Sequence, residues 1–229
     1  MIALAIETST LFQSVALRRA DGAIDEMGDT DGARRGHSRD LAATVASLLR
    51  RHGLAVQDVE QLVVDVGPGS FTGLRVGLAL AKGIAFVTGA PIVPVLAPHA
   101  ATVALRGRPT LWASNAHREL VYAALLGADG AIVRPVGAYD PTELAGWGVT
   151  SDTWLVGDGF DVYAATLEPV VAVGERIARH DVPRASGLLQ HALLGAEAPV
   201  AAAAVEPVYV RRSAAEEARE AREARATQG

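Results

Sequence analysis

The sequence contains no cysteine and a single lysine, Lys82, among 229 residues. Without cysteine the chain can form neither a disulfide framework nor a thiolate metal site, and nothing indicates an oxidising compartment. We therefore expect a cytoplasmic protein. Aromatic residues are also scarce, at 5% of the chain. Because proteins that bind single-stranded nucleic acid stack bases on aromatic side chains, this scarcity disfavours a free-standing RNA-binding module.

Charge and hydropathy exclude two further classes of protein. The net charge is −5, and the arginines are dispersed along the chain, whereas binding of a polyanion needs a concentrated basic surface. If RNA is involved, a partner is expected to carry most of the contact. Arg75 and Lys82 interrupt the most apolar segment, 71–87, which argues against a membrane span. The apolar start meets Glu7 at once and predicts a strand instead of a signal peptide.

Apolar runs and turn signals recur in the same order in both halves of the chain. The first half predicts three strands (2–6, 14–17, 23–27), a helix (37–52), a strand (61–66) and a longer helix (72–87). After a proline-containing connection, the second half predicts strands (111–113, 120–126, 132–136), a short helix from Pro141, a strand within 154–159 and a helix (161–167). Each half has the order βββαβα.

This repeated order predicts an α/β protein with the duplicated fold of actin, hexokinase and the Hsp70 ATPase domain, the actin-like or ASKHA fold related to RNase H. We expect a first subdomain over residues 1–108, which carries the partner-binding helices, and a second over 109–212. Residues 213–229 are expected to form a polar terminal helix or tail, because alanine is the only apolar side chain of the helical stretch 213–225.

Two polar loops are candidates for phosphate binding. Glu7, Thr8, Ser9 and Thr10 follow the first strand, where the duplicated fold often places an acid for a nucleotide-bound metal; they are equally explained as polar groups of a tight hairpin. The loop 67–70, GPGS, precedes a helix N-terminus that attracts anions. It lacks the GK[ST] ending of a P-loop, and its proline and glycines also suit a sharp strand-to-helix turn.

The long helix carries small residues at every fourth position, which would let another helix approach closely. They are Gly73, Gly77, Ala81, Ala85 and Gly89. A helix that is apolar nearly all round needs cover on more than one side. Either other helices of the chain or a partner protein could supply it. The second interpretation predicts a partner interface at Phe71, Thr72, Leu74, Gly77, Leu78, Ala81, Ile84 and Ala85.

The sequence shows no catalytic or metal-binding constellation. Its six histidines include no pair three or four residues apart, so a helical HxxxH metal pair is absent. No serine stands in a G-x-S-x-G nucleophile setting. We therefore expect neither catalytic residues nor a metal site, and no cofactor beyond a vestigial ATP or ADP site at residues 7–10.

The stretch GPGSFTGLRVGLALAKGIA, from Gly67, resembles the signature of the TsaB (YeaZ) family. Further similar pieces occur in the family's order along the chain up to Arg212: LAIETS at the start, HS at 37–38, SNAHRELVY at 114–122, LVGDG at 155–159 and PVYVRR at 207–212. Three positions depart from the family pattern: Glu7 and Asn115 each replace an expected Asp, and Arg39 an expected Glu. The loss of carboxylates at these positions argues against nucleotide or metal binding. A role as a structural subunit of a complex does not depend on them.

The resemblance implies a duplicated actin-like fold with a shortened second half, and a subunit without activity of its own. TsaB-like proteins pair through their N-terminal helices with a larger paralog, TsaD, which holds the metal and performs the chemistry. With the ATPase TsaE, the complex transfers a threonylcarbamoyl group to N6 of adenosine 37 in tRNAs reading ANN codons. A homodimer is expected when the chain is alone. The alternative is an autonomous enzyme, either an ASKHA-type ATPase or kinase or a metallopeptidase-like protein.

Overall fold

Two five-stranded sheets organise the computed structural model, which describes residues 1–28 and 41–210. The first sheet contains β1 (Ala3–Glu7), β2 (Ser14–Arg18), β3 (Ile24–Gly28), β4 (Gln61–Gly67) and β5 (Ile92–Leu96), in the order β3-β2-β1-β4-β5. The hairpin strands β1 to β3 pair antiparallel, whereas β1, β4 and β5 pair parallel. All five residues of β1 are buried, as expected for a central strand covered on both faces.

Helices cover both faces of the first sheet. Helices α1 (Leu41–Arg51) and α2 (Phe71–Thr88) share one core with Leu4 and Ile6 of β1. Helices α3 (Ala97–Thr102) and α6 (Ala185–Ala192) share the opposite core with Ala3 and Ala5. Because successive side chains of a strand point to opposite faces, β1 contributes to both cores in alternation.

The second sheet repeats this topology with shorter elements. It contains β6 (Thr110–Asn115), β7 (Val121–Leu126), β8 (Ile132–Tyr139), β9 (Trp154–Val156) and β10 (Glu175–Arg176), in the order β10-β9-β6-β7-β8. One face is covered by a 3-10 helix, Pro141–Trp147, and by α4 (Gly159–Val162) and α5 (Ala164–Val171). The other face packs on α3, which therefore lies between the two sheets.

The repeated strand order confirms the predicted duplicated actin-like fold. The sequence reasoning missed β5 and α3, which occupy the proline-containing connection, and also β10 and α6. Helix α6 follows the second sheet in sequence but packs on the first, where Ala185 N donates to Ser14 Oγ at 2.9 Å. The predicted subdomain limits stay predictions, and the terminal segment 213–229 lies outside the described residues.

Helix α2 is the only described helix with the length and composition of a membrane span. Its buried residues include Leu74, Leu78, Ala81 and Ile84, and the helix packs against β4. Because its buried residues lie on one side and pack on β4, α2 is a core helix of the first sheet. This agrees with the sequence argument against a membrane span at 71–87.

Candidate functional site

A cleft of about 440 Å³ opens where the carboxyl ends of central strands from the two sheets meet. Open α/β folds commonly bind ligands at this edge. The first sheet contributes Ser9 to Leu11, after β1, and Pro68 to Thr72, after β4. The second sheet contributes Trp112, Ser114 to Arg118, Tyr122 and Asp158. Val208 to Val210, in the segment that follows α6, complete the wall.

The loop 67–70 packs directly on the end of β1. Ser70 N donates to Ser9 O at 2.6 Å, and a side chain at Gly69 would overlap the same carbonyl oxygen. Ser70 Oγ accepts a hydrogen bond from Gly73 N at 3.2 Å and caps α2. Glycine is therefore required here by the close approach of two backbone segments, which supports the strand-to-helix turn as the role of this motif.

The opposite wall is a hydrogen-bonded network around Asp158. Its Oδ1 accepts hydrogen bonds from Ser114 Oγ at 2.7 Å and Asn115 N at 3.0 Å. The Asn115 side chain in turn accepts from His117 N at 2.8 Å and from Tyr163 OH at 3.2 Å. Asn115 thus serves as an acceptor that shapes the hairpin turn.

The turn itself has an uncommon backbone. His117, Arg118 and Glu119 have φ values of 59°, 51° and 64°, so three consecutive residues other than glycine adopt the left-handed region. Each such residue costs on the order of 1 kcal/mol or more. This turn places His117 and Arg118 in the lining of the cleft.

An aromatic cluster closes the rim of the cleft. Phe71 stacks on Tyr209 with ring centroids 4.7 Å apart, and Arg75 Cζ lies 3.9 Å from the Phe71 centroid. Arg75 Nε also donates to Tyr209 OH at 3.0 Å. Val208 N also donates a hydrogen bond to Val66 O at 2.7 Å. These contacts hold the segment 208–210 across the end of β4.

Two carboxyl groups, Glu7 and Asp65, lie fully buried behind the cleft. Glu7 Oε1 accepts from Ser9 N at 2.7 Å and Ser9 Oγ at 2.5 Å, while Asp65 Oδ1 accepts from Gly67 N at 2.6 Å. Burial, and then the neighbouring charge of Asp65, raises the pKa of Glu7 well above its usual value. Burial raises the pKa of Asp65 to about 6. A pair that retains a proton in this way is a poor ligand set for a cation.

The residues predicted as a vestigial nucleotide site are therefore divided between two environments. Ser9 and Thr10 line the cleft, whereas Glu7 and Thr8 are buried behind it. Thr8 packs against α2, where a side chain at Gly77 would overlap its hydroxyl. Nucleotide binding stays a prediction, with Ser9 and Thr10 as the predicted residues that reach the cavity.

The eight residues of the predicted partner interface on α2 are divided between the surface and the core, and the interface itself stays a prediction. Of its eight residues, Thr72 is exposed and Phe71 half-buried, while six are buried within the chain itself: Leu74, Gly77, Leu78, Ala81, Ile84 and Ala85. The first two residues of the small-residue stripe face the segment directly after β1, because Gly73 and Gly77 let the helix backbone approach Thr8. These six side chains are not available at the surface.

The opposite side of α2 is exposed and largely apolar. It presents Val76, Ala79, Gly83, Phe86 and Val87. Phe86 is 91% exposed and Val87 60% exposed. We call these five residues the exposed face of α2. The sequence did not indicate this face, because regularly spaced small residues mark the side on which a helix is approached most closely. In this structure that side faces the sheet.

A second cluster lies outside the cleft and was also missed. His99 on α3, His191 on α6 and Glu197, which follows α6, place their ligand atoms within 4.8 Å of one another. The search for a histidine pair within one helix could not find it, since the two histidines belong to different helices.

Comparison with known proteins finds similarity to proteins of tRNA modification. A family model described as "TsaD: tRNA N6-adenosine threonylcarbamoyltransferase" matches residues 31–130. A "tRNA threonylcarbamoyladenosine biosynthesis protein TsaB" from Haemophilus influenzae is 38% identical over 94 residues, which cover 40% of this chain and 38% of that protein. The Bacillus subtilis protein of the same name is 39% identical over 108 residues, covering 47% and 45%. The chain thus spans less than half the length of these curated relatives.

A solved structure supports the fold over nearly the whole chain. A protein from Pseudomonas aeruginosa, described as similar to peptidase YEAZ, superposes with a TM-score of 0.77 at 24% identity. The match covers 92% of this chain and 99% of that chain. At this identity the similarity establishes the architecture.

Proposed function

We propose that this chain, a relative of the TsaB (YeaZ) proteins and of the TsaD family, is a non-catalytic subunit that activates a TsaD-like partner. The complex would form N6-threonylcarbamoyladenosine at position 37 of tRNAs reading ANN codons. The names of both curated relatives and the matching family model support a role in this modification. In this proposal tRNA contacts the chain through the complex, a TsaE-like ATPase assists, and the protein acts in the cytoplasm.

The exposed face of α2 is the observation that carries the proposal. Isolated apolar residues are common on protein surfaces, but here Val76, Phe86 and Val87 lie on one side of a single helix with two small residues among them. A second helix can pack on such a face and bury it. We assign this face to the TsaD-like partner, and to a second copy of the chain when the partner is absent.

The chemistry of the cleft supports a role without catalysis. Asp158 is the carboxylate among the described residues that line the cavity, and both Ser114 and Asn115 already donate to its Oδ1. Glu7, which occupies the place of a metal-binding acid, is buried and has a raised pKa. We therefore propose that the cleft holds no resident cofactor and at most binds ATP or ADP weakly at Ser9 and Thr10.

Substitution of Phe86 tests the proposal. Phe86→Glu places a charge on the exposed face at its most exposed apolar side chain. Removal of a buried interface anchor typically costs at least about 2 kcal/mol, roughly thirtyfold in Kd. We expect the variant to lose the TsaD-like partner in size-exclusion chromatography and, in the absence of the partner, to run as a monomer. Its far-UV circular dichroism spectrum should match the wild type, because Phe86 is 91% exposed in the single chain.

Val133→Glu is the matched control, since Val133 is 64% exposed on β8, in the other sheet. This variant should bind the partner and self-associate as the wild type does. If Phe86→Glu binds the partner with unchanged affinity, the exposed face of α2 is not the interface. If both variants lose binding equally, the effect is one of net charge and the assignment fails.

A further inference from the structure

His99, His191 and Glu197 join three separate parts of the chain. His191 is 97% buried near the end of α6, and its Nε2 lies 2.8 Å from the Glu197 carboxylate. His99 Nδ1, on α3, lies 3.4 Å from Glu197 Oε1. Glu197 shortly precedes Val200, which pairs with Ile92 of β5. The cluster therefore lies where the segment after α6 pairs with the first sheet. None of its residues lines the cleft.

The donor set is one that proteins use for transition metals. Two imidazole nitrogens and one carboxylate bind Zn²⁺ in several known sites, with bonds of about 2.0 to 2.2 Å. Tetrahedral bonds of that length separate neighbouring ligand atoms by about 3.3 to 3.5 Å. The distance of 3.4 Å between His99 Nδ1 and Glu197 Oε1 meets this spacing, and His191 Nε2 needs to move by about half an ångström.

Two ligand atoms of the cluster make no hydrogen bond in the structure, His99 Nδ1 and Glu197 Oε2. His99 Nδ1 is buried and lies 3.4 Å from Glu197 Oε1 without forming a hydrogen bond. A buried polar atom without a partner costs free energy, and such atoms are uncommon in native proteins. A bound cation would supply the missing partner to His99 Nδ1 and would bridge it to Glu197. The side chain of Glu197 is 23% exposed, which leaves a route by which water can complete the coordination.

We propose that His99, His191 and Glu197 bind one divalent transition-metal ion, with Zn²⁺ as the probe. Imidazole ligands favour such ions over Mg²⁺ or Ca²⁺, which prefer oxygen. The ion fastens α6 and the following segment to α3, so its role is to stabilise the packing of this segment on the first sheet. The proposal is independent of the function assigned to the cleft and to the exposed face of α2.

Binding must alter the stacking of the two rings. The imidazoles of His99 and His191 stack with centroids 4.2 Å apart and planes inclined by 15°. A metal ion lies close to the plane of each imidazole that it binds, so one ion cannot satisfy two parallel rings. We expect metal binding to rotate the ring of His99 out of the stack, since His99 is the less buried of the two.

Titration of the tag-free chain with Zn²⁺ tests the proposal. Isothermal calorimetry should give one ion per chain, and Zn²⁺ at a hundredfold excess over Kd should raise the melting temperature by about 5 to 10 °C. In NMR spectra of histidine-labelled protein, the signals of His99 and His191 should shift together. Co²⁺ in place of Zn²⁺ should give the visible absorption of four-coordinate cobalt.

Variants at the three residues separate this site from other histidines. Glu197→Gln retains a hydrogen-bond acceptor for His191 and should weaken Zn²⁺ binding at least a hundredfold. His99→Ala should weaken it by a similar factor. These two variants test the site even if His191→Ala does not fold. His180→Ala is the control and should bind as the wild type does. Zn²⁺ binding that is absent from the wild-type chain, or that is unchanged in both Glu197→Gln and His99→Ala, would overturn the proposal.

Discussion

At the scale of single residues, Glu7 and Asp65 show how pairing between strands creates a property that neither position has alone. Glu7 ends β1, and the parallel register of β1 with β4 brings it beside Asp65. The sequence identified Glu7 as an acid at the end of a strand. It gave no signal for Asp65, because the contact depends on register between distant segments.

The raised pKa values predict how stability depends on pH. Below about pH 3, both carboxyl groups are protonated in the folded chain and largely so in the unfolded chain. As the pH rises, the unfolded chain releases these protons first, while the folded chain keeps them or buries a charge. The free energy of unfolding should therefore fall as the pH rises from about 4 through 6, and further where Glu7 titrates.

Glu7→Gln measures this effect. Glutamine mimics the protonated acid and still accepts from Ser9, so the variant should show a shallower fall in unfolding free energy between pH 4 and 7.5. The difference in slope is at most about 1.4 kcal/mol per pH unit for one proton. Urea melts of both proteins across this range provide the measurement. Curves that run parallel would show that Glu7 does not retain its proton in the folded state.

At the scale of elements, periodicity predicted most helices and strands but not the orientation of α2. Leu41, Val45, Leu48 and Leu49 of α1 are buried, as their helical spacing predicts. Helix α2 differs because apolar residues occur nearly all round it, so periodicity cannot choose its buried side. The small residues permit close approach, and at Gly73 and Gly77 the approaching group is Thr8, directly after β1, instead of a partner helix.

A pair of glycine substitutions in α2 tests this orientation. A methyl group at Gly73 would overlap the Thr8 carbonyl oxygen, whereas Gly83 has nothing within 4 Å and is exposed. Gly73→Ala should lower the free energy of unfolding by about 1 to 3 kcal/mol through overpacking. Gly83→Ala should raise it by about 0.5 to 1 kcal/mol, because alanine favours the helix.

Chemical denaturation of the two variants supplies both values, and each serves as the other's control. Equal stability of the two proteins would contradict the packing of α2 on β1. Destabilisation by Gly83→Ala alone would show that the opposite side of the helix faces the core.

At the scale of the whole molecule, the sequence predicted the duplicated fold because each half repeats the same order of elements. It did not predict how the second half returns to the first. Helix α6 crosses back to the first sheet, and the His99, His191 and Glu197 cluster forms only through that return. Contacts of this kind depend on tertiary packing, and short motifs cannot show them.

The central claim is that the chain acts through its surface and not through chemistry of its own. Nucleoside mass spectrometry of tRNA from a depletion strain tests it most directly, with complementation by two variants. Glu7→Gln combined with Asp158→Asn removes the carboxylate of the cleft wall and one of the two carboxyl groups buried behind it, but retains their hydrogen-bond acceptors. Phe86→Glu disrupts the exposed face of α2.

We predict that depletion removes threonylcarbamoyladenosine from tRNA, that the carboxyl variant restores it to the wild-type level, and that Phe86→Glu does not. Modification that persists after depletion would contradict the proposed role. Full restoration by Phe86→Glu, together with failure of a folded carboxyl variant, would show instead that the chain performs a reaction of its own in the cleft.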